Sequence, residues 1–525
     1  MMNTKKNICA SCLLIFTLSA CYAQKNMPVA KAGKTTVIAV APTNPVLKRL
    51  DANPLLCVKV YLPAGASVDY QNIRGSLNAS AIKAMDKLEV FFNGNEPLFN
   101  TTNKVASVKP STQQISIPVD INATPGWNYI WFSASLKEDA DIDTRIEFHV
   151  TELADKTNKT HPVIEQKGNY KKYSGIALRK TWDDSVHTYR IPGITTTDKG
   201  TLISVYDIRY KHAGDLPANI DVGINRSTDG GKTWEPMKNI MDMGAPHENN
   251  GVGDPAILFD PVTKKIWVAA FWSKGNRSIA GSEPGLSPDT TGQFVLVSSD
   301  DDGLTWSAPV SITTQVKNPI WHLYFNGPGN GIAMQNGTLV FASQYWDESK
   351  KPGMPHSSII YSDDHGKTWK SGIGAKSNTT EAQVVETTPG TLMLNMRDNR
   401  GSFRSVATTK DFGKSWTEHP TSYHALPDPV CMASIIKAKV KVKGVMKDVL
   451  FFSNVNSSTA RKDMTIKASL DLGETWLPDN ELLLDERRLY GYSALTKIDD
   501  NTIGLIYEGL RELYFLRIPV SDIIR

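Results

Sequence analysis

Cysteine is scarce in this 525-residue chain, and three of its five copies, Cys9, Cys12 and Cys21, sit close to the start. That leaves Cys57 and Cys431, so a disulfide framework is not supported. Long apolar runs are missing too: the longest near the start, LLIFTL at 13–18, is too short to cross a bilayer. Charge of one sign does not accumulate, with 58 Lys+Arg against 54 Asp+Glu for a formal +4, which argues against nucleic acid as a partner. The Lys-rich stretch KAKVKVKGVMK at 437–447 reads as an exposed hairpin. No HExxH occurs and the histidines are scattered, so neither a catalytic zinc nor any other cofactor is expected. Helical periodicity of any length is also lacking, which points to an all-β protein.

What is present begins with an export-type leader over residues 1–23. Lys5 and Lys6 precede the short apolar run, and small residues follow. Leu18-Ser19-Ala20-Cys21 resembles a bacterial lipobox, with Cys21 as the lipidated terminus; a cut after Ala23 would instead free the chain. The location expected is therefore the periplasm, or the outer membrane and cell surface as a lipoprotein. Residues 24–165 alternate in short β-like runs such as CVKVYL, LEVFF, QISIPV and YIWFSASL, which predicts an antiparallel sandwich. Its role has two readings, a sugar-binding module or a packing domain beside the site. Trp127, Tyr129 and Trp131 could form a platform for the first, or could be core residues of the second. The polar segment 154–170 is the expected linker.

Beyond it, one motif is stamped out five times: STDGGKTW (227–234), SDDDGLTW (299–306), SDDHGKTW (362–369), TKDFGKSW (409–416) and SLDLGETW (469–476). The Asp can accept bonds from its own loop, the Gly supplies a positive φ, and the Trp plugs the turn against a neighbouring sheet. It is a folding device, not a catalytic centre. The box aspartates recur every 47–72 residues, the length of a four-stranded blade, so 170–525 is predicted to be a six-bladed β-propeller. Catalytic residues would then be scattered in sequence yet converge at one end of the ring.

Tyr189-Arg190-Ile191-Pro192, just before the first box, resembles the Arg-Ile-Pro signature of exo-sialidases (neuraminidases), whose six-bladed propellers carry these same boxes. The resemblance covers about 170–525. It implies three arginines gripping the carboxylate of sialic acid, for which the planar guanidinium fork is well matched. Arg190 is the first. Arg397, Arg400 and Arg404 compete for the second, and Arg404 is chosen on its spacing from the box Asp411, with Arg397 its main rival. Arg461 is the third. A neutral phenol can approach an anomeric carbon that already bears a carboxylate, and the family uses tyrosine in that role. Tyr492 fits, with Tyr490 the near miss; Glu386 is the base expected to take its proton, and the arginines are expected to favour the phenolate.

Asp215 is the expected proton donor, its pKa raised by burial under substrate, and Asp221 its local rival is read as structural. The resemblance further implies that Glu508 braces Arg190, that Arg209 and Asp254 read the 4-hydroxyl region, and that Gln344 and Trp272 line side pockets. The expected activity is a retaining exo-α-sialidase acting through a sialyl-tyrosine on glycoproteins, gangliosides and oligosaccharides, as a monomer. The alternatives are a non-catalytic sialic-acid-binding propeller and a transglycosylating sialidase, since the boxes alone are architectural.

Overall fold

The computed structural model describes residues 34–275 and 277–525; the leader, with Cys9, Cys12 and Cys21, lies outside the described residues. Both remaining cysteines are buried free thiols. The chain is built almost wholly of strands, as its sequence patterning requires.

The N-terminal part is two packed sheets. One runs in the order Ile164–Glu165, Thr36–Val40, Asn53–Leu62, Gly126–Leu136, Met85–Phe92, Lys104–Val108. The facing ladder contains Gln114–Ala123, Val68–Leu77 and Arg145–Asp155. Alternation along the strands fills the space between them with Val58, Val60, Ile130, Phe132, Ile73 and Phe148. Trp127, Tyr129 and Trp131 pair across to Tyr61, Lys59 and Cys57, and none belongs to that core cluster. They occupy the opposite face of the sheet, where Trp127 tilts against Tyr61 and Trp131 meets Phe99 edge-on.

Segment 154–170 departs from its expectation as a linker. Thr160–Pro162 pairs back on Arg145–Asp155, and Ile164–Glu165 adds a parallel strand beside Thr36–Val40. The Tyr170 hydroxyl then donates to the carbonyls of Ala39 and Gln166. Its polar composition reflects an edge position facing water, which a reading for apolar pattern takes for a loop.

Six antiparallel blades follow around an axis. Blade one is Thr188–Thr196, Leu202–Arg209, Ile220–Ser227 and Lys238–Met241. Blades two to five begin at Val252–Phe259, Leu323–Asn326, Thr379–Glu386 and Ser434–Val442. Blade six takes Ser493–Asp499, Thr502–Glu508 and Leu513–Pro519, then borrows Lys171–Arg179 as its outermost strand. Each box closes the hairpin between a blade's third and fourth strands. Blade six makes its fourth strand from distant sequence, has no such hairpin, and so has no box.

The boxes behave alike. In the first, Asp229 accepts from the Thr233 amide (3.0 Å) and hydroxyl (2.6 Å), and Ser227 Oγ accepts from the Gly231 amide. A Cβ on Gly231, at φ +89°, would lie 2.3 Å from the Phe515 ring of blade six. Trp234 meets that same ring edge-on. Gly303 similarly abuts Ile203 of blade one, so the boxes clamp neighbouring blades together.

Candidate active site

In an antiparallel blade the start of the first strand, the end of the second and the start of the third come to one end. Arg190 begins the first strand of blade one, Arg209 ends its second, and Asp215 lies in the loop that follows. Arg397 is near the end of the second strand of blade four, Arg461 directly precedes the third strand of blade five, and Tyr492 precedes the first strand of blade six. These residues therefore share one rim.

Three of the innermost strands carry a bulge at this rim. Between Arg190 and Gly193, between Gly253 and Ala256, and between Thr379 and Ala382, two residues oppose one on the next strand. The extra residues include Ile191 (φ +59°) and Asp254 (φ +55°), conformations that a β-branched side chain in particular adopts only when held there. What holds Ile191 is Glu508: its Oε1 accepts from the Ile191 amide (2.9 Å) and from Arg190 Nε (3.0 Å). Its Oε2 accepts from the Tyr492 amide (3.0 Å), so one buried carboxylate fixes the arginine and the tyrosine together.

Tyr492 is the centre of the constellation. Its hydroxyl donates to Glu381 Oε1 at 2.5 Å and accepts from Arg397 Nη1 at 2.9 Å. Arg397 also pairs with the other oxygen of Glu381. The guanidinium carbons of Arg190 and Arg461 stand 5.2 and 5.7 Å from the Tyr492 ring centre. Arg461 is aimed by the carbonyls of Tyr490 (3.1 Å) and Val430 (3.0 Å), and Arg190 also lies over the Tyr490 ring at 5.0 Å. Burial raises the Tyr492 pKa and Glu381 adds to the rise; Arg397 and Arg190 oppose them without prevailing, so the free site holds a protonated phenol well above its ordinary range. The arginines do favour the phenolate as expected, but burial and Glu381 outweigh them in the unliganded site.

Two expectations are corrected by placement. Arg404 is fully buried (0% exposed), with Nε on Asn395 Oδ1 at 2.7 Å and Nη1 on the Cys431 carbonyl and near Asp428. It braces blade four against the segment leading to blade five, while Arg397 stands at Tyr492. Glu386 ends the first strand of blade four at the opposite rim, where it accepts from the Gln335 and Gly390 amides at 2.8 Å each. Glu381, five residues earlier on the same strand, roughly 16 Å away at strand rise, is the carboxylate at Tyr492. The counting that favoured Arg404 fails because residues 402–403 form an extra ladder with Pro427–Asp428 before the box. Glu381 left a usable signal, an acidic residue at the start of an innermost strand.

Asp215 Oδ1 accepts from Arg209 Nη1 (2.7 Å) and lies 3.6 Å from Arg190 Nη1, with its side chain 67% exposed. Desolvation by the surrounding loop pushes this carboxyl up, but Arg209 and Arg190 outweigh it and leave the pKa of the free protein below the ordinary value; the expected rise concerns the substrate-covered state. Asp221 accepts from Tyr210 (3.0 Å) and Asn239 (2.7 Å), and burial with nearby Asp242 raises it to about 6.

Arg209 does not bond Asp254 directly. Its Nε and Nη2 go to the buried Asp207, whose other oxygen accepts from the Asp254 amide at 2.8 Å. Sequence reasoning missed Asp207, which nothing distinguishes from an ordinary strand aspartate. The Asp254 carboxyl is raised well above its usual range by burial and by Asp207, Asp215 and Glu381. Gln344 lies near the end of the second strand of blade three, Leu339–Trp346, buried and with no side-chain hydrogen bond among the described residues. Trp272 Nε1 donates to Asn250. No cluster of potential metal ligands occurs among the described residues.

A phenol paired with a carboxylate and ringed by arginines, at the mouth of a six-bladed ring, defines the class of propellers that handle anionic sugars. Family comparison agrees: residues 208–506 match the BNR repeat-like domain, and 34–159 match the N-terminal domain of BNR-repeat neuraminidase. A sialidase of Bacteroides fragilis is 42% identical over 86% of this chain and 89% of its own. A solved Hadza microbial sialidase superposes with a TM-score of 0.86 at 39% identity, covering 93% of this chain and all of that one. The intramolecular trans-sialidase of Ruminococcus gnavus, at 19% identity and TM-score 0.57 over 66% of this chain and 97% of its own, shares the fold. The chain belongs to the BNR-repeat sialidase (neuraminidase) family.

Proposed function

We propose that this sialidase is a retaining exo-enzyme that releases terminal sialic acid from glycoproteins, gangliosides and oligosaccharides through a covalent sialyl-tyrosine. The supporting observation is the short contact from the Tyr492 hydroxyl to Glu381, with Arg397 on the same oxygen and Arg190 and Arg461 flanking the ring. The three guanidiniums grip the substrate carboxylate, and Arg209 with Asp254 faces the sugar ring.

Tyr492 Oη then attacks the anomeric carbon as Glu381 takes its proton, and the glycosidic oxygen leaves with the proton of Asp215. In the second half, Asp215 deprotonates a water whose oxygen displaces Tyr492 from that carbon, and Glu381 returns the proton to the phenolate. A neutral nucleophile avoids the like-charge repulsion that a carboxylate would meet beside the substrate's own anion. Charge developing on the sugar ring meets fixed, preset groups, which is where such a site gains most of its rate.

The Asp215 proton enters with the substrate: an incoming carboxylate competes for Arg190, and the covered aspartate loses both its solvent and part of its cationic partner. Export by the leader, to the periplasm or as a lipoprotein at Cys21, and a monomeric state complete the proposal. The test is incubation with a 2,3-difluoro sialic acid followed by peptide mass spectrometry. A sialyl adduct on Tyr492 is expected; an adduct on Glu381, or none despite inactivation, overturns the reading. Product analysis with lactose present separates release from transfer.

A further inference from the structure

Asp215 lies between the second and third strands of blade one in a loop, 210–219, that gives its carboxylate two cationic contacts and little cover. The residue after it behaves oppositely. Leu216 is only 7% exposed and shares an apolar cluster with Ala218, Ile220, Phe271 of blade two, and Leu323 and Phe325 of blade three. A loop from blade one thus joins an apolar cluster shared with blades two and three.

Beneath it the backbone is pared away. A Cβ on Gly251 would lie 2.3 Å from the Ala218 carbonyl and 2.6 Å from Leu216 Cδ2, so the loop sits directly on a glycine at the entry to blade two. Phe271 and Phe325 of that cluster lie 4.8 Å apart between ring centres. Ile220 pairs with Arg209 and Phe271 with Gly253 along their strands, whereas Leu216 has no side-chain contact with the arginines or Tyr492 and adjoins the chemistry through the Asp215 backbone.

We propose that Leu216 is a positioning residue for proton donation: its side chain, set against Gly251 in the apolar cluster that holds Phe271 and Phe325, fixes where Asp215 stands over the leaving oxygen. This rests on the reading of Asp215 as the proton donor. Acid help matters in proportion to how poor the leaving group is, so a misplaced Asp215 slows release of a sugar alcohol much more than release of an acidic phenol. A general loss of folded protein slows both alike.

The experiment measures kcat/KM of the full chain on 3′-sialyllactose and on 4-methylumbelliferyl sialoside, for wild type, Leu216→Ala, Leu216→Met and Gly251→Ala. Gly251→Ala approaches the same contact from the other side, at a backbone conformation open to alanine. Asp215→Asn sets the largest attainable split, since a general acid contributes roughly 10²–10⁴-fold. In Leu216→Ala and Gly251→Ala, sialyllactose turnover should fall about 10–100-fold and the aryl sialoside less than about threefold, a partial loss of that acid contribution. Leu216→Met should recover most of the loss. Equal falls on both substrates, or no fall on either, overturn the proposal. A wild type that cleaves neither substrate would instead refute the sialidase reading itself.

Discussion

Glu381 and Glu386 stand five residues apart on one strand, and exchanging either for glutamine separates catalysis from architecture. Glu381→Gln keeps shape but removes the acceptor that takes the Tyr492 proton over 2.5 Å. General-base help is worth about 10²–10⁴ in rate, or about 3 to 5 kcal/mol of barrier. Burial still holds the phenol up in the variant, but losing the Glu381 charge removes one cause of the rise and leaves Arg397 and Arg190 unopposed by it, so the middle of that range is expected. Thermal stability should fall less than catalysis does: glutamine still accepts from the hydroxyl, while the partly exposed Arg397 loses its charged partner. Glu386→Gln does the reverse. It weakens two charge-assisted bonds from the Gln335 and Gly390 amides at a turn on the far rim, at a cost of about 1–3 kcal/mol in stability. Its kcat/KM should stay within about threefold of wild type, as for a change away from the chemistry. The assay is kcat/KM on a fluorogenic sialoside beside a urea midpoint for each protein. A Glu386→Gln enzyme that is stable but dead, with an active Glu381→Gln, would refute the assignment.

The arginines divide in the same way: Arg397→Lys should lower kcat/KM by at least about 10²-fold at unchanged stability because its bidentate geometry is lost, measured by steady-state kinetics and calorimetry. Arg404→Met should cost about 3–5 kcal/mol by stranding Asp428 without its buried partner, read from a urea midpoint. Asp215 is held low in the free protein, so binding an unsaturated sialic acid analogue should take up protons and weaken as pH rises above the free pKa. Calorimetry in buffers of different ionisation enthalpy checks this, and equal heats would exclude it. The box carboxylates Asp301, Asp364 and Asp411 are lowered to about 2, mainly by bonds from their own loops and, for Asp364, against its burial. A depressed folded pKa contributes stability fully above the unfolded value, about 3.9, and loses it as pH falls toward 2. Urea midpoints should therefore decline over that window in wild type and decline less in Asp301→Ala.

Repeats and alternation carried the architecture because they are local. A box is eight residues, a strand pair is two runs and a turn, and both can be read without knowing what lies across the ring. Arg190, Arg461, Tyr492 and Glu508 were legible for a related reason: each sits at a fixed place relative to a strand end, and the structure brings all four together. Arg397 and Glu381 were not, because their positions depend on a bulge and on the inserted ladder at 402–403, which alter residue counts without altering patterning. Asp207 was invisible because its importance lies in a bond to the backbone of the next blade. Leu216 reads as one more apolar loop residue until Gly251 is seen against it and the cluster with Phe271 and Phe325 is known.

The borrowed strand of blade six has a consequence for how the molecule is made. Ile176 must wait for Phe515, about 340 residues downstream, before its ring neighbour exists. Meanwhile its backbone donors and acceptors would offer a template to any passing chain. The N-terminal sheets hold the other edge of this strand: Arg145, Ile146 and Glu147 pair with residues 171–173, and Val46–Lys48 runs parallel to residues 174–176, so the edge that awaits Phe515 stays open while its back is already fixed. The clasp that closes the ring is thus laid down first and completed last, and a chain shorn of residues 34–165 would leave it unpaired on both edges until the final blade arrives.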